Sequence, residues 1–516
     1  MRGRGITWGV RLAVISIVML ALPPAASADP GDDSLPWALR SAAARANSVE
    51  VQPGPLHVIG GSVAWEPTVA ADPLHAGHLA VTFEASEAGV LVTRISISRD
   101  GGVTWHKSAR LPWAGTGRVL GIHPVIAWGP GPGAGTRLYW AGVTSGGEGY
   151  ALTIASSDDE GAHWSPLYLE RRTPPWVGGF PTIATDSNPA SPGYGQVYVA
   201  YNWLASSHSP GLRLLASSDF GTSWSDAEVA PAPSETTDHW RIGYRLATAP
   251  DGSAYVAAFQ ADLPHWSVAD LFSRAGATRL GFTVTRFSFD PSTNRIAVGD
   301  TQMVATMTRN VYTVLRQPLP GMVQTFADPS WQAGIAVSPD DGTVFLAVGD
   351  LRESTPRGVI GLYRSANAGA TWDAVVLADA PPVSGKPVSS YRPVVIAAPG
   401  GLVWVGFHTL VDLPVGTTSA SSVGEAFSLS VDGGRSFSDP APLHADRWST
   451  RLVNHLNGAG LRDQAVLGPD GRIFYAFGSG LHVDQPSQST VIGESIELVR
   501  TQNILWHQAF WAGRIL

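Results

Sequence analysis

The sequence predicts an all-β protein that is built from one repeated unit of four short antiparallel strands. Two repeated signals and the composition support this prediction. The first signal is an octet that combines Ser, Asp and Gly with a closing aromatic residue, and the second is a proline-containing stretch upstream of it. Glycine and proline number 57 and 39 among 516 residues, a composition that suits many short strands joined by tight turns.

The octet occurs five times, and each residue type in it has a physical role in a turn. Asp accepts hydrogen bonds from the backbone N–H groups of its own turn, Gly adopts the positive φ of a chain reversal, and the aromatic ring buries against neighbouring strands. The copies are Ser98–Trp105, Ser157–Trp164, Ser217–Trp224, Ser365–Trp372 (with Asn for Asp) and Ser430–Phe437 (with Phe for Trp). The closing aromatics are 59, 60, 148 and 65 residues apart, so the long interval holds two units.

The second signal is a stretch, aligned on its proline, that precedes a strand-like segment. It occurs seven times, with four clear copies and three weaker ones: Glu66–Pro73, His123–Pro130, Phe180–Asp186 and Arg392–Pro399, then Gly243–Pro250, Gln332–Pro339 and Arg462–Pro469. Together the two signals define a unit of about 60 residues with four strands. The predicted fold class is therefore all-β, a single β-propeller of seven four-stranded blades over residues 61–516.

The N-terminal residues have the pattern of an export signal. Arg2, Arg4 and Arg11 form a basic region, Leu12–Leu22 is apolar but too short to span a bilayer, and Ala26–Ala28 fits a cleavage site. We expect a signal peptide at residues 1–28 that is cleaved after Ala28, and a secreted protein with no membrane span after cleavage; an uncleaved anchor is the alternative.

Residues 29–60 are rich in Ala, Pro and Ser and are interpreted as a leader. Without disulfides, closing a propeller ring requires a strand from one end of the chain. Leu56–Ile59 and Ile504–His507 are the two candidates for that strand.

Charge and cysteine content limit the possible partners. Removing residues 1–28 changes the formal net charge from −8 to −11, which argues against nucleic acid or anionic lipid as a partner. The chain has no cysteine, so it has neither disulfides nor thiolate chemistry. We expect no cofactor, no metal site and a monomer.

Function on a propeller resides in the loops at one mouth of the central channel, where each innermost strand begins. The aligned first positions of the seven inner strands supply polar residues of both charges: Glu66, His123, Phe180, Gly243, Gln332, Arg392 and Arg462, with Arg245 two positions later in the fourth unit. The ends of the second strands add Glu84, Asn202, Gln260, Asp262, Asp350 and His408. Three arginines at one mouth suit a carboxylate ligand, because guanidinium groups pair with it bidentately.

The octet resembles the Asp-box, or bacterial neuraminidase repeat, which occurs in sialidases, xyloglucan-cleaving enzymes and sortilin-like receptors. In that resemblance the box is structural and lies on the face away from the site. The sialidase family implies six blades, the alternative to seven, and an arginine triad that binds the substrate carboxylate. Tyr391-Arg392-Pro393 is similar to that family's Arg-Ile-Pro motif but lacks the Ile and lies in the sixth unit rather than the first.

The resemblance also implies a Tyr nucleophile paired with Glu, and an Asp acid. The predicted catalytic residues are Glu66, Tyr391 and Asp262, with Tyr201, Tyr244, Glu84 and Asp350 as further candidates. The predicted substrate-binding residues are Arg245, Arg392, Arg462, His123 and Gln332. Purely structural alternatives stay open: a backbone contact for Glu66, ion pairs between blades for Arg392 and Arg462, and hydrogen-bonded wall positions for His123 and His408.

The leading functional hypothesis is a sialidase-like glycoside hydrolase that acts on an anionic glycan at the channel mouth. A non-catalytic propeller that binds glycan or protein is the alternative. A hydrolase or lyase of neutral polysaccharides is the second alternative.

Overall fold

A computed structural model describes the parts of the chain that form the sheets and their turns. The described residues are 51–58, 63–87, 90–107, 112–113, 120–146, 149–169, 180–204, 210–230, 239–262, 279–307, 333–351, 358–411, 422–449, 462–479 and 507–515. The predicted signal peptide and Gln332 lie outside them. In these ranges the structure contains no helix with the length and apolar character needed to cross a membrane.

Strands account for nearly all regular structure in the described residues. The first half of the chain contains β1 (Val51–Val58), β2 (Val63–Ala71), β3 (Leu79–Glu87), β4 (Val90–Ser98), β5 (His106–Lys107), β6 (Leu120–Pro130), β7 (Thr136–Gly146), β8 (Gly149–Ser157), β9 (Ser165–Leu169), β10 (Thr182–Thr185), β11 (Val197–Leu204), β12 (Pro210–Ser217) and β13 (Ser225–Ala230). The second half contains β14 (His239–Thr248), β15 (Ser253–Asp262), β16 (Arg279–Asp290), β17 (Arg295–Met307), β18 (Ala333–Val337), β19 (Val344–Leu351), β20 (Gly358–Ser365), β21 (Asp373–Val376), β22 (Val388–Ala398), β23 (Leu402–Val411), β24 (Ser422–Ser430), β25 (Ala441–Pro442), β26 (Trp448–Ser449), β27 (Gln464–Leu467), β28 (Arg472–Ser479) and β29 (His507–Ile515).

The described strands form seven antiparallel sheets, which are the blades of a β-propeller. Blades 1 to 5 each take four consecutive strands: β2–β5, β6–β9, β10–β13, β14–β17 and β18–β21. Blade 6 is β22–β25, with the short β26 also paired to β24. Blade 7 has the order β27, β28, β29, β1 from the inside outwards. The all-β propeller prediction is confirmed, with four strands per blade running back and forth as the repeats indicated.

The hydrophobic cores lie between blades, and together they close a ring. Each neighbouring pair of blades shares one buried cluster, because side chains on facing sheet surfaces interdigitate. Trp140 and Ile97 represent the cluster between blades 1 and 2, while Phe474 and Val69 represent the one that joins blade 7 back to blade 1. The other five pairs, from blades 2 and 3 to blades 6 and 7, have equivalent clusters. Seven blades therefore enclose one channel.

Both ends of the described chain contribute to blade 7. β29 pairs with β28 on its inner side and with β1 on its outer side, and Val51 lies opposite Ile515. The segment predicted around Leu56 thus belongs to a strand, β1, that begins earlier, at Val51. The C-terminal strand begins at His507, where the predicted segment ended.

The octets form one repeated turn between the third and fourth strands of five blades. In each copy the Ser hydroxyl donates to the Asp or Asn Oδ1 at 2.8–2.9 Å and accepts the Gly N–H at 2.8–2.9 Å. The same Oδ1 accepts the N–H of the residue four positions after the Asp or Asn, at 2.8–2.9 Å. At Asp100 these hydrogen bonds, led by those of Thr104, lower the carboxyl pKa to about 2. The turns lie at the end of the blades opposite the start of the inner strands.

Candidate functional site at the channel mouth

The aligned positions predicted to begin the inner strands share an unusual backbone conformation, although Glu66, His123 and Arg392 lie inside β2, β6 and β22, which begin three or four residues earlier. Five of them have a positive φ although they are not glycine: Glu66 (54°), His123 (52°), Phe180 (68°), Arg392 (52°) and Arg462 (77°). Such values are strained for residues with a Cβ and are concentrated at functional sites. In blades 1, 2, 4 and 6 the pairing of the inner strand also shifts at this point, which is the mark of a β-bulge. The bulges of blades 1 and 2 bring Glu66 and His123 together, whereas Arg392 at the blade 6 bulge is almost completely buried.

The centre of the site is an ion pair between Glu66 of blade 1 and His123 of blade 2. His123 Nδ1 lies 2.9 Å from Oε2 and 3.1 Å from Oε1 of Glu66. The Glu66 side chain is fully buried, whereas that of His123 is 21% exposed. Within the described residues no hydrogen bond involves His123 Nε2. The carboxylate therefore fixes the Nδ1 edge of the imidazole.

Glu84 is the second carboxylate against His123. It lies opposite Trp65, the residue before the blade 1 bulge, and one of its oxygens accepts the backbone N–H of His123. The same oxygen lies 3.8 Å from Nδ1 of the imidazole. Glu84 is nearly fully buried, so it anchors the bulge of the neighbouring blade rather than facing solvent.

Two arginines add positive charge to this group. Arg462 Nη1 donates to the carbonyl of His123 at 3.1 Å, and its Nε lies 3.8 Å from Glu66 Oε2. Arg245, which is half-buried, donates to the carbonyl of Asp463 at 3.4 Å and interacts electrostatically with Arg462 and Glu66. Arg462 also packs over the ring of Phe180, which stacks on His123 with centroids 4.3 Å apart. We call Glu66, Glu84, His123, Arg245 and Arg462 the mouth cluster.

The opposite charges of Glu66 and His123 in the mouth cluster stabilise each other and offset the cost of burying them. Burial raises the pKa of Glu66, but His123 and the two arginines outweigh it and the net shift is downward. Burial lowers the pKa of His123, but Glu66 and Glu84 outweigh it and the net shift is upward. Burial and the nearby Arg462 together lower the pKa of Arg245 to about 10. An anion bound between the arginines would relieve this repulsion.

Glu66, Glu84 and His123 also have the spacing of a metal-ligand set, because one ligand atom of each lies within 4.8 Å of the others. Both carboxylates already accept hydrogen bonds from His123. Arg462 and Arg245 place positive charge beside the same oxygens. The geometry therefore favours an ion-pair cluster over a cation site.

A second group of titratable residues lies in blades 6 and 7. His408 Nε2 is 2.6 Å from Asp463 Oδ2, and its Nδ1 is 3.2 Å from Glu425 Oε1. Glu425 also bonds His444 Nε2 at 2.6 Å and accepts the indole N–H of Trp448 at 3.1 Å. Burial opposes both charges, but the pairing raises the pKa of His408 to about 9 and lowers that of Glu425 to about 2. We call His408, Glu425, His444 and Asp463 the sealed cluster.

The structure brings some of the predicted binding residues together and separates others. Arg245, Arg462 and His123 meet in the mouth cluster. Arg392 is almost completely buried and interacts electrostatically with Tyr391 and Tyr475, and no contact with Arg245 or Arg462 is found in the described part of the chain. Arg245 and Arg462 therefore lie in one cluster, and Arg392 lies apart from them.

The predicted catalytic residues lie in three different blades. Glu66 contacts His123 rather than a tyrosine. Tyr391 stacks on His408 with centroids 5.4 Å apart, and its hydroxyl has no hydrogen-bond partner among the described residues. Asp262 accepts from Gln260 Nε2 at 2.7 Å, next to Arg241. No contact joins Glu66, Tyr391 and Asp262 within the described ranges, and their catalytic roles stay predictions.

Sequence reasoning did not single out Glu425, His444 or Asp463, nor the role of Phe180 as a stacking partner. Asp463 had an available signal, because it directly follows an aligned arginine. Glu425 and His444 had none, since they lie outside the two repeated signals; Glu425 is the cross-strand partner of His408 within blade 6.

Comparisons with known proteins give no family. No protein-family model and no curated protein matches the chain. Similar solved structures include the GH93 α-L-arabinofuranosidase of Fusarium graminearum in complex with arabinobiose, with 15% identity, coverage of 67% of this chain and 88% of that one, and a TM-score of 0.39. A PL25 ulvan lyase has 13% identity, 83% and 93% coverage, and a TM-score of 0.45. The Penicillium chrysogenum α-L-arabinanase in complex with arabinobiose has 16% identity, 76% and 99% coverage, and a TM-score of 0.41.

Proposed function

We propose that this protein cleaves an anionic glycan at the channel mouth, with Arg245 and Arg462 binding a substrate carboxylate and His123 transferring a proton. One observation carries the proposal. The imidazole of His123 is held at Nδ1 by a fully buried carboxylate, its side chain is one-fifth exposed, and it lies beside two guanidinium groups. A group that orients an imidazole in this way is a recurrent device for proton transfer.

The carboxylate preference follows from the charges. Arg245 and Arg462 interact unfavourably with each other, and Glu66 lies beside Arg462 without a close fork-to-fork pairing. Guanidinium groups bind carboxylates bidentately, and such pairs are strong where water is excluded. Arg245, which is half-buried, would contact a sugar carboxylate, and Arg462, with 4% of its side chain exposed, would add positive charge behind it.

Elimination is the cleavage chemistry that this arrangement favours. Hydrolases that use two carboxylates hold them about 5–9.5 Å apart with room for sugar or water between them. Glu66 and Glu84 have ligand oxygens within 4.8 Å of each other and are both committed to His123. The cluster thus presents one imidazole rather than two free carboxylates.

In the proposed elimination His123 acts in its neutral form, in which Nδ1 carries the proton held by Glu66 and the unprotonated Nε2 removes the proton from the carbon next to the sugar carboxylate. The electrons of that C–H bond form a carbon–carbon double bond, the C–O bond from the neighbouring carbon to the leaving sugar breaks, and the leaving oxygen takes its proton from the His123 imidazolium that the first transfer forms. Negative charge develops on the substrate carboxylate in this step. Arg245 and Arg462 stabilise that charge electrostatically.

The test uses uronate-containing polysaccharides and the same polymers after carboxyl reduction. We expect cleavage of the carboxylated polymer, followed by the ultraviolet absorbance of the unsaturated product, and no cleavage of the reduced polymer. His123→Gln abolishes cleavage but keeps binding, whereas Arg245→Gln weakens binding. His106→Gln, on the exposed outer strand of blade 1, is the matched control and leaves both unchanged.

Other outcomes separate the competing functions. New reducing ends without absorbance show hydrolysis and replace the elimination step. Binding of carboxylated polymer without cleavage by the wild-type protein replaces the enzyme with a glycan-binding propeller. Equal cleavage of the carboxylated and the reduced polymers would contradict the role given to the arginines and would indicate a neutral polysaccharide as substrate.

A sialidase is the second candidate, favoured by the five octet turns and by the buried Arg392 between Tyr391 and Pro393. A tyrosine nucleophile needs a paired base. Burial raises the pKa of Tyr391 instead, and Tyr244 Oη donates to the carbonyl of Arg241. A fluorogenic sialoside assay on the wild type and on Arg392→Ala tests this candidate. Absence of hydrolysis by the wild type at acidic and neutral pH rules it out.

We also propose that the protein is secreted and acts as a monomer on extracellular glycans. The basic, apolar and small-residue segments before Ala28 support export. N-terminal sequencing of the exported protein should begin at Asp29. Retention of residues 1–28 on a membrane fraction would show an uncleaved anchor instead.

A further inference from the structure

The rim of the propeller opposite the mouth carries a second cluster of histidines and carboxylates. β2 runs away from the mouth, and the turn between β2 and β3 contains Asp72, His75 and His78. This turn of blade 1 faces Glu160, which belongs to the octet turn of blade 2. We call these four residues the rim cluster.

Asp72 is the fixed member of the rim cluster. Its side chain is 1% exposed, and its Oδ1 accepts the backbone N–H groups of Leu74 at 2.8 Å and His75 at 3.2 Å. Its Oδ2 accepts the hydroxyl of Thr136, from blade 2, at 2.8 Å and lies 2.9 Å from His75 Nδ1. A buried carboxylate oriented from two blades is a pre-organised ligand.

The two histidines lie on the open side of this carboxylate. Their rings stack with centroids 5.2 Å apart, and His78 Nδ1 lies 2.8 Å from Glu160 Oε1. Arg99 Nε, at 2.5 Å from the other oxygen, orients Glu160, whose backbone has a positive φ of 56°. The exposed fractions are 55% for His75 and 25% for His78, so solvent reaches the cluster.

We propose that Asp72, His75 and His78 bind one divalent transition-metal ion, for which zinc is the best fit, and that Glu160 supplies the fourth ligand. One ligand atom from each of the first three residues already lies within 4.8 Å of the other two. Two imidazole nitrogens and two carboxylate oxygens suit tetrahedral zinc. Calcium, which takes six to eight oxygens, does not match this donor set.

The metal would join blade 1 to blade 2. Asp72, His75 and His78 come from one blade and Glu160 from the next, so the ion adds a bridge across the interface at the rim. Binding to the folded state alone raises stability by mass action, because the ligands are assembled only by the fold. The site is independent of the mouth cluster, which lies at the other end of β2.

The test is zinc titration of the tag-free, metal-stripped full chain by calorimetry, with cobalt as a spectroscopic probe. We expect one zinc per chain, visible absorption of tetrahedral cobalt, and a thermal midpoint that zinc raises. His75→Ala and His78→Ala each weaken zinc binding by at least about tenfold and abolish the rise. Glu160→Gln changes the cobalt spectrum.

His163→Ala is the matched control. His163 is an exposed histidine in the same blade 2 octet turn and bonds Asp159 at 2.6 Å, but no third ligand joins that pair in the described residues. This variant keeps zinc binding. Without zinc, all variants should unfold at the wild-type midpoint, which separates loss of the site from loss of the fold. Absence of zinc binding, or binding retained by both His75→Ala and His78→Ala, overturns the proposal.

Discussion

The mouth cluster and the sealed cluster both pair histidine with two buried carboxylates, yet they differ in access to solvent. Glu84 and His408 even occupy equivalent positions, each opposite the residue before a bulge, Trp65 and Tyr391 respectively. His123 of the mouth cluster is 21% exposed, and His408 of the sealed cluster is fully buried. At these equivalent positions both side chains join neighbouring blades, Glu84 through the backbone N–H of His123 and His408 through Asp463.

The largest expected effect is a difference in stability loss between substitutions of His408 and of His123. His408→Ala leaves Asp463 and Glu425 buried without their shared cation, and we expect a loss of about 3–5 kcal/mol in the free energy of unfolding. His123→Ala leaves Glu66 with Arg462 and costs about 1–2 kcal/mol, but it abolishes cleavage. Denaturant unfolding combined with activity assays measures both. Equal stability losses for the two variants would contradict the structural role given to His408 and the functional role given to His123.

The pH dependence of stability comes next and follows from the sealed cluster. The pKa of His408 rises from 6.5 to about 9 on folding, so its contribution is complete below pH 6.5 and is lost as the pH rises towards 9. The pKa of Glu425 falls from 4.5 to about 2, so its contribution is complete above pH 4.5 and is lost as the pH falls towards 2.

We therefore expect a plateau of stability between about pH 4.5 and 6.5 and a decline of up to about 3 kcal/mol by pH 9. Unfolding experiments across this range measure it, with His408→Phe as the control. That variant should show a flatter curve above pH 6.5. A wild-type curve that is flat from pH 6.5 to 9 contradicts the charge assignment of His408.

A smaller effect is expected from Glu66→Gln, which keeps the shape of the mouth cluster but removes the negative charge beside His123. Because Glu66 is the main group that raises the pKa of His123, the pH at which kcat/KM reaches half its maximum should move to lower values. We expect kcat to fall by about tenfold, less than the loss on removing the imidazole. An unchanged pH profile would mean that His123 is not the titrating group.

The smallest effect is expected from His444→Phe. The His444 ring stacks on Phe477 at an interplanar angle of 8°, and a phenyl ring preserves that packing. The change removes one hydrogen bond to Glu425, which keeps that from Trp448 and its ion pair with His408, and it also removes Nδ1, a buried atom with no partner in the described residues. We expect a loss of about 1 kcal/mol. A loss as large as that of His408→Ala would show that the sealed cluster acts as one unit.

The repeated signals predicted the blades and the position of the mouth, because both depend on local chemistry. Ser98 and Asp100 fold into the same turn as their four counterparts through bonds within one octet. The pairing of His408 with Asp463 could not be predicted, since it depends on how blade 6 packs against blade 7. Likewise, the alignment found Glu66 and His123 but not the left-handed backbone that turns them towards each other.

The rim shows the opposite case, in which the sequence held a signal that was not recognised. Asp72, His75 and His78 follow one another at intervals of three residues in one turn. Only the blade packing adds Glu160 and Thr136 and so shows the set as a site.

Blade 7 combines strands from both ends of the described chain, so the blades form a closed ring in which no blade is terminal. In a linear repeat protein the first and last units each lack a neighbour, and fraying begins there. Here Val51 pairs with Ile515, so the outermost and third strands of one sheet come from opposite ends of the chain, and every blade has two neighbours. The pairing with the longest span in sequence thus gives the molecule no terminal unit from which to come apart.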